Sequence, residues 1–300
     1  MVIKFNFLKY RKIYFIFSGS LILASVICLI IFGLKLGIDF TGGSILELEF
    51  KEKKPSNQEI QEKLIELNLE EIYLQSTNEK GIILRMKEID EETHQKILEK
   101  LGGKEKLIEL RFESIGPVIG KELREKTKIL ITLSLLAIVV YIGLAFRKIR
   151  KPIHSWQCGL VAIFCLFHDI LLPLGVFSIL GKFFGIQITI PVIVALLTVL
   201  GYSINNTVVV YDRIRENLLK KIKISFEEAI NFSLNQTLTR QINTSLTTLF
   251  VLMAILFFGS ETLRYFTLAL TLGILAGTYS SFFLASPILI IWLKWKKSYF

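Results

Sequence analysis

The sequence predicts an α-helical membrane protein with six transmembrane helices. A small α+β ferredoxin-like domain is expected between helices 1 and 2, on the extracytoplasmic side. Three observations carry this prediction. The chain of 300 residues is 52% hydrophobic and 21% charged, with a mean hydropathy of +0.54, whereas a soluble domain of that length needs more polar surface to cover its core. Its apolar residues gather in runs long enough to cross a bilayer. One long polar segment, 35–128, alternates between strand-like and helix-like patterns.

A spanning helix needs roughly 20 apolar residues. The candidate runs are 13–34, 129–146, 156–180, 187–210, 242–258 and 263–292. The first is too long for a signal-peptide core and no small-x-small cleavage site follows it, so it reads as an uncleaved span. Basic residues in short loops set orientation. They cluster as Lys4, Lys9, Arg11 and Lys12, as Arg147, Lys148, Arg150 and Lys151, as Arg213, Arg215, Lys220, Lys221 and Lys223, and as Lys294, Lys296 and Lys297. The opposite short loops hold little beyond Lys182 and Arg264. Both termini are therefore expected in the cytoplasm. This divides the chain into a cytoplasmic N-terminus with the first span (1–35), an extracytoplasmic domain (36–128) and a bundle of five further spans (129–300). The bundle includes a cytoplasmic loop at about 212–240, read as a solvated amphipathic helix with alternating charges. The net charge of +10 follows this topology, and no basic-aromatic interleaving of the kind that binds single-stranded nucleic acid occurs.

Within the polar segment, SILELEF (44–50) alternates, placing Ser44, Leu46, Leu48 and Phe50 on one face. Ser56 and Glu59 form a capping box before a helix with an Ile60, Leu64 and Leu67 stripe. Strands are expected at 72–77 and 81–87. Asp90 caps a second helix that ends at Gly102-Gly103, and LIELRFESI supplies the last strand. The succession β-α-β-β-α-β is the split βαβ arrangement. His94 reads as a solvated side chain on a polar helix. GIDFTGG (37–43) and ESIGPVIGKEL (113–123) bracket the domain, with glycines suited to tight reversals.

The membrane runs carry polar groups that need partners. Asp169 lies near the middle of the third run. Burying it ionised costs at least ~2.5–3.5 kcal/mol, so it faces a cavity or a partner, is protonated, or makes a structural hydrogen bond with a neighbouring helix or His168. Asn205 and Asn206 close the fourth run. In the fifth, Gln236, Arg240, Asn243, Thr244 and Thr247 share a helical face expected to look into the bundle. Arg240 stays charged. By spacing alone it is a snorkelling arginine at the cytoplasmic end, and at its depth it can meet Asn206 across adjacent helices. The last run holds a ladder of small residues, Ala269, Gly273, Gly277, Ser281 and Ala285, which admits a close helix from this chain or from a partner. Cys28, Cys158 and Cys165 form no C-x-x-C pair and no metal spacing. With no H-E-x-x-H and no G-x-S-x-G, an intramembrane hydrolase is disfavoured, and no cofactor or metal is expected.

Four of these stretches together carry a family resemblance. GIDFTGG after the first span is similar to the hallmark of the SecD/SecF protein-export subunits. FHDILLPLG (167–175), LGYSINNTVVVYDRIREN (200–217) and NQTLTRQINTSLTT (235–248) resemble the SecF branch. The resemblance runs the length of the chain. It implies a six-helix bundle like half of a resistance-nodulation-division (RND) transporter, and residence in the bacterial inner membrane. It also implies SecD as a heterodimer partner, association with the SecYEG translocon and with YajC and YidC, contact with a translocating polypeptide and with lipids, and no nucleic acid. The function implied is an accessory subunit that uses the proton motive force to complete export, not an enzyme. The alternative is a half-size RND-type exporter of lipids or small molecules. The resemblance assigns Gly37, Asp39, Thr41, Gly42 and Gly43 to the family motif near the membrane surface. It makes Arg240, in the TLxR string, a proton-pathway residue. Related chains usually carry aspartate where Asn206 stands. An amide cannot titrate, so the proton then falls to another acid, Asp169 or one in SecD, unless a different ion or no ion drives the cycle.

Overall fold

The computed structural model describes residues 5–67, 69, 72–77, 79–146, 154–220 and 225–298. Of the basic residues that set the expected topology, Lys4, Arg147, Lys148, Arg150, Lys151, Lys221 and Lys223 lie outside these. The chain runs through a 3-10 turn (Phe7–Tyr10), α1 (Arg11–Phe32), the single turn α2 (Ile38–Thr41), β1 (Gly43–Phe50), α3 (Asn57–Ile65), β2 (Tyr73–Ser76) and β3 (Gly81–Met86). It continues with α4 (Glu91–Leu101), the turn α5 (Gly103–Lys106), β4 (Leu107–Ile115), α6 (Pro117–Phe146), α7 (Ser155–Phe184), α8 (Ile190–Leu219) and α9 (Phe226–Phe258). It ends with α10 (Glu261–Ser280), a π-helical turn (Ser281–Ala285) and α11 (Ser286–Ser298). Among the described residues, six helices are long and apolar enough to cross a membrane. Two compact units emerge: Met1–Leu34, Ile131–Ile186 and Ile190–Phe300 in one, Lys35–Leu130 and Gln187–Thr189 in the other.

The smaller unit is built on an antiparallel sheet of order β2-β3-β1-β4. Its helices start where the chain supplies caps: Ser56 Oγ accepts the Glu59 N–H at 3.2 Å, and Asp90 Oδ1 accepts the Thr93 N–H at 2.9 Å. Leu46, Leu48, Leu84, Ile60, Leu64 and Ile97 make a fully buried core between sheet and helices. The alternation of β1 does not leave its other face wet: Ile45 and Glu47 are buried as well, on a strand paired along both edges. His94 is buried rather than solvated. Its ring stacks on Phe112 at 3.8 Å, and its two nitrogens lie 3.1 Å from Glu91 and 3.4 Å from Glu109. The helix buries one side with Ile97, Leu98 and Leu101, and His94 lies on that side against β4.

In the larger unit, α10 packs on α7, α8 and α9, while α1 packs on α7. The small-residue ladder is what lets α10 approach so closely. A Cβ on Gly273 would sit 2.2 Å from Val199, and one on Gly277 would sit 2.9 Å from Ser203, so both glycines face α8 of the same chain. The helices overrun the apolar segments. The helix that carries the second apolar run begins at Pro117, a residue suited to the first helical position, about three turns before 129. Residues 187–189 belong to the smaller unit, and α8 continues to Leu219 through Asp212, Arg213, Arg215 and Glu216. Pairs at helical spacing, Asp212–Arg215, Arg213–Glu216 and Glu216–Lys220, support that polar extension. The Ser225–Glu228 capping box then opens α9, which runs unbroken into the fifth apolar stretch. The described residues of 212–240 are therefore not a separate amphipathic helix but the end of one long helix and the start of another.

Candidate functional site

Asp169 is completely buried on α7. Three side chains from three helices converge on its carboxyl group: Ser203 Oγ of α8 donates at 2.5 Å, Ser280 Oγ of α10 donates at 2.8 Å, and the neighbouring His168 Nδ1 shares a 2.8 Å hydrogen bond with Oδ1. These bonds replace part of the hydration that burial removes. Spacing pointed to Asp169 and named His168 as a neighbour. It did not single out Ser203 and Ser280. The signal available for both was the small-residue ladder: Ser203 packs against Gly277, and Ser280 sits beside Ser281.

Asn206 is buried on the same helix as Ser203, and its Nδ2 has no hydrogen-bond partner among the described residues. Its backbone carbonyl accepts the Gln241 Nε2 of α9 at 2.7 Å. Gln241 Oε1 in turn accepts Ser281 Oγ at 3.3 Å, and Ser245 shares a 2.8 Å bond with Thr278. The inward face of α9 thus carries Thr237, Gln241 and Ser245, stepping by four residues. The stripe expected to look inward does not: Gln236, Arg240, Asn243, Thr244 and Thr247 are exposed. This part of α9 is polar on two sides, so periodicity alone does not select the side that packs on α8 and α10. Asn205 is exposed on α8. Asn206 and Arg240 do not bond. Arg240 instead lines a cavity of about 230 Å³ with Asp212, Arg213, Glu216 and Gln236. Gln236 accepts from Arg213 at 2.7 Å and from Asn217 at 2.9 Å.

The glycine motif forms a separate constellation in the smaller unit. The Gly37 N–H donates to the Ile188 carbonyl at 2.8 Å, and the Ile188 N–H donates to the Lys35 carbonyl at 2.7 Å. Thr41 Oγ1 closes the α2 turn on the Gly37 carbonyl at 3.1 Å. Asp39 lies in that turn and acts electrostatically on Arg111. Gly42 has φ +73°, and a Cβ there would meet the Pro117 Cα at 2.9 Å. The stretches that bracket the domain in sequence are therefore in contact, Gly42 against Pro117 and Gly120, and neither glycine has room for a Cβ.

Six membrane-length helices with one buried, hydrogen-bonded carboxyl group, joined to a small sheet unit, define a multi-pass membrane protein. The family model described as "Protein export membrane protein SecD/SecF, C-terminal" matches residues 93–295, and the "SecD/SecF GG Motif" model matches residues 29–54. The protein translocase subunit SecF of Thermobaculum terrenum is 39% identical, over 96% of this chain and 93% of that one. The SecF of Anaerolinea thermophila is 38% identical, over 96% and 94%. The crystal structure of SecDF from Thermus thermophilus, titled a translocon-associated membrane protein, superposes with a TM-score of 0.83 at 31% identity. It is matched over 97% of this chain but 39% of its own. The chain belongs to the SecD/SecF family of protein-export membrane proteins.

Proposed function

We propose that the chain acts as the SecF-like subunit of a Sec protein translocase, an accessory subunit and not an enzyme. With a SecD partner it uses the proton motive force to complete translocation of secreted polypeptides. It sits in the bacterial inner membrane with both termini cytoplasmic. The small sheet unit is its extracytoplasmic ferredoxin-like domain, working beside SecYEG and its associates YajC and YidC. The observation that carries this reading is the exposed polar stripe of α9, Gln236, Arg240, Asn243, Thr244 and Thr247. Gln236 bonds to α8 and the Thr244 and Thr247 hydroxyls donate to their own helix, but the Arg240 and Asn243 side chains have no bond among the described residues; on a spanning helix they are costly against lipid and call for a polar partner. The T. thermophilus SecDF chain, of which this chain matches 39%, has length to spare for one. Asp169 is the proton carrier, since Asn206 cannot titrate. Arg240 is the fixed positive charge of the pathway.

Purification of the tagged chain from membranes should recover SecD and SecYEG; a homo-oligomer with bound lipid and no SecD would favour an RND-type exporter instead. In vesicles with an imposed proton gradient, Asp169→Asn should drop precursor export to the level measured without a gradient. Asn206→Asp should leave export intact or raise it. Full gradient-stimulated export by Asp169→Asn removes Asp169 as the carrier.

A further inference from the structure

We propose that His168 is the port through which protons reach Asp169, taking a proton at Nε2 and passing one from Nδ1 to the carboxylate. This deepens the proton-carrier reading of Asp169 and rests on it. Both side chains are fully buried. An ionised carboxylate has about four acceptor positions. Three are filled here, by His168 Nδ1, Ser203 Oγ and Ser280 Oγ. With Asp169 ionised, the nitrogen facing it carries the hydrogen, so Nε2 holds the free lone pair. That nitrogen is buried and has no hydrogen-bond partner among the described residues. A merely structural histidine gains nothing from leaving it unpaired. The ring lies along Tyr279, with centroids 6.2 Å apart and planes at 23°, which fixes its orientation.

No lysine, arginine or second carboxylate enters the contacts described around the pair. The other titratable groups nearby are Cys165 on α7, Tyr279 on α10, Tyr14 on α1 beside Tyr279, and Tyr211 on α8 beside Cys165. A proton bound at Nε2 makes the imidazole cationic. The Nδ1 proton then crosses the 2.8 Å bond to Asp169 Oδ1. The products are a neutral imidazole protonated at Nε2 and a neutral carboxylic acid. The pair has gained one proton and lost its negative charge, and the reverse sequence releases it. A neutral acid accepts less strongly from Ser203 and Ser280. Ser280 immediately precedes the π-helical turn, so loading the site loosens α10 where its hydrogen-bond ladder already changes.

The chain has three histidines, so ¹⁵N-histidine labelling of this chain in its SecD complex in lipid yields three pairs of ring-nitrogen signals, one Nδ1 and one Nε2 each. The His168 pair is assigned by its loss in His168→Asn. As the pH is lowered, it should switch from the Nδ1–H to the Nε2–H tautomer, and Asp169→Asn should abolish the switch. A His168 signal that keeps the Nδ1–H tautomer throughout overturns the proposal. In vesicles, His168→Asn keeps a donor near the Nδ1 position but has no second ring nitrogen. It should lose gradient-stimulated export as Asp169→Asn does. Full stimulation in His168→Asn with loss in Asp169→Asn overturns the relay and leaves the carrier standing. Full stimulation in both overturns the carrier too. If His168→Asn fails to assemble with SecD, the wild-type tautomer measurement decides.

Discussion

At the scale of single residues, two positions are held by very different physics. Asp169 tolerates burial because Ser203, Ser280 and His168 each hydrogen-bond to it. Removing any one donor leaves a charged group short of partners. Gly42 is held by geometry: its φ of +73° suits glycine, and the Pro117 backbone lies where a side chain would begin. Gly42→Ala should therefore destabilise the smaller unit by about 1–3 kcal/mol. Hydrogen exchange of the β1 and β4 amides in the full chain measures this. Unchanged protection would show that the Gly42–Pro117 contact relaxes freely. The His94 ring illustrates how little a lone residue reveals by type. It reads as solvated on α4, yet it is buried against Phe112 because β4 passes beneath it.

At the scale of elements, helix ends and faces separate cleanly. The starts of α3 and α4 were readable from Ser56 and Asp90 because a cap is a local hydrogen bond. The Thr93 side chain and then its backbone N–H hold the Asp90 carboxyl below the usual carboxylate value. A carboxyl depressed in the folded state contributes stability that is fully present above its unfolded value, near 3.8, and is lost as the pH falls through the folded value. Protection of the α4 amides should accordingly weaken on acidification below about pH 4. Asp90→Asn should flatten part of that dependence, and an unaltered profile would remove the cap as its source. Faces are harder to read. Two polar stripes run along α9, and only packing against α8 and α10 decides that Thr237, Gln241 and Ser245 turn inward.

At the scale of the whole molecule, the outward stripe of α9 and Asn205 of α8 leave polar groups uncovered on membrane-length helices. In a bilayer such groups seek a protein partner. Single cysteines at Asn205 and Asn243, with Cys28, Cys158 and Cys165 replaced, should cross-link to SecD in membranes. Cross-linking to a second copy of this chain, or to nothing, would count against SecD as the covering partner. The close approach of α10 to α8 at Gly273 and Gly277 commits the small-residue ladder to this chain, so it is not available to a partner.

The sequence by itself determined the six spans, the order of strands and helices in the polar segment, the caps, and Asp169 as the deepest acid. Each of these rests on composition, period or a local hydrogen bond, which neighbouring residues specify. Only the tertiary structure decided which side of α9 is buried, that Ser203 and Ser280 reach Asp169, that GIDFTGG and the start of α6 touch, and that α8 runs on to Leu219 and α9 starts at Phe226. These depend on which helix packs against which, and distant segments settle that through shape and close approach. A helical period records that a face exists but not what it meets.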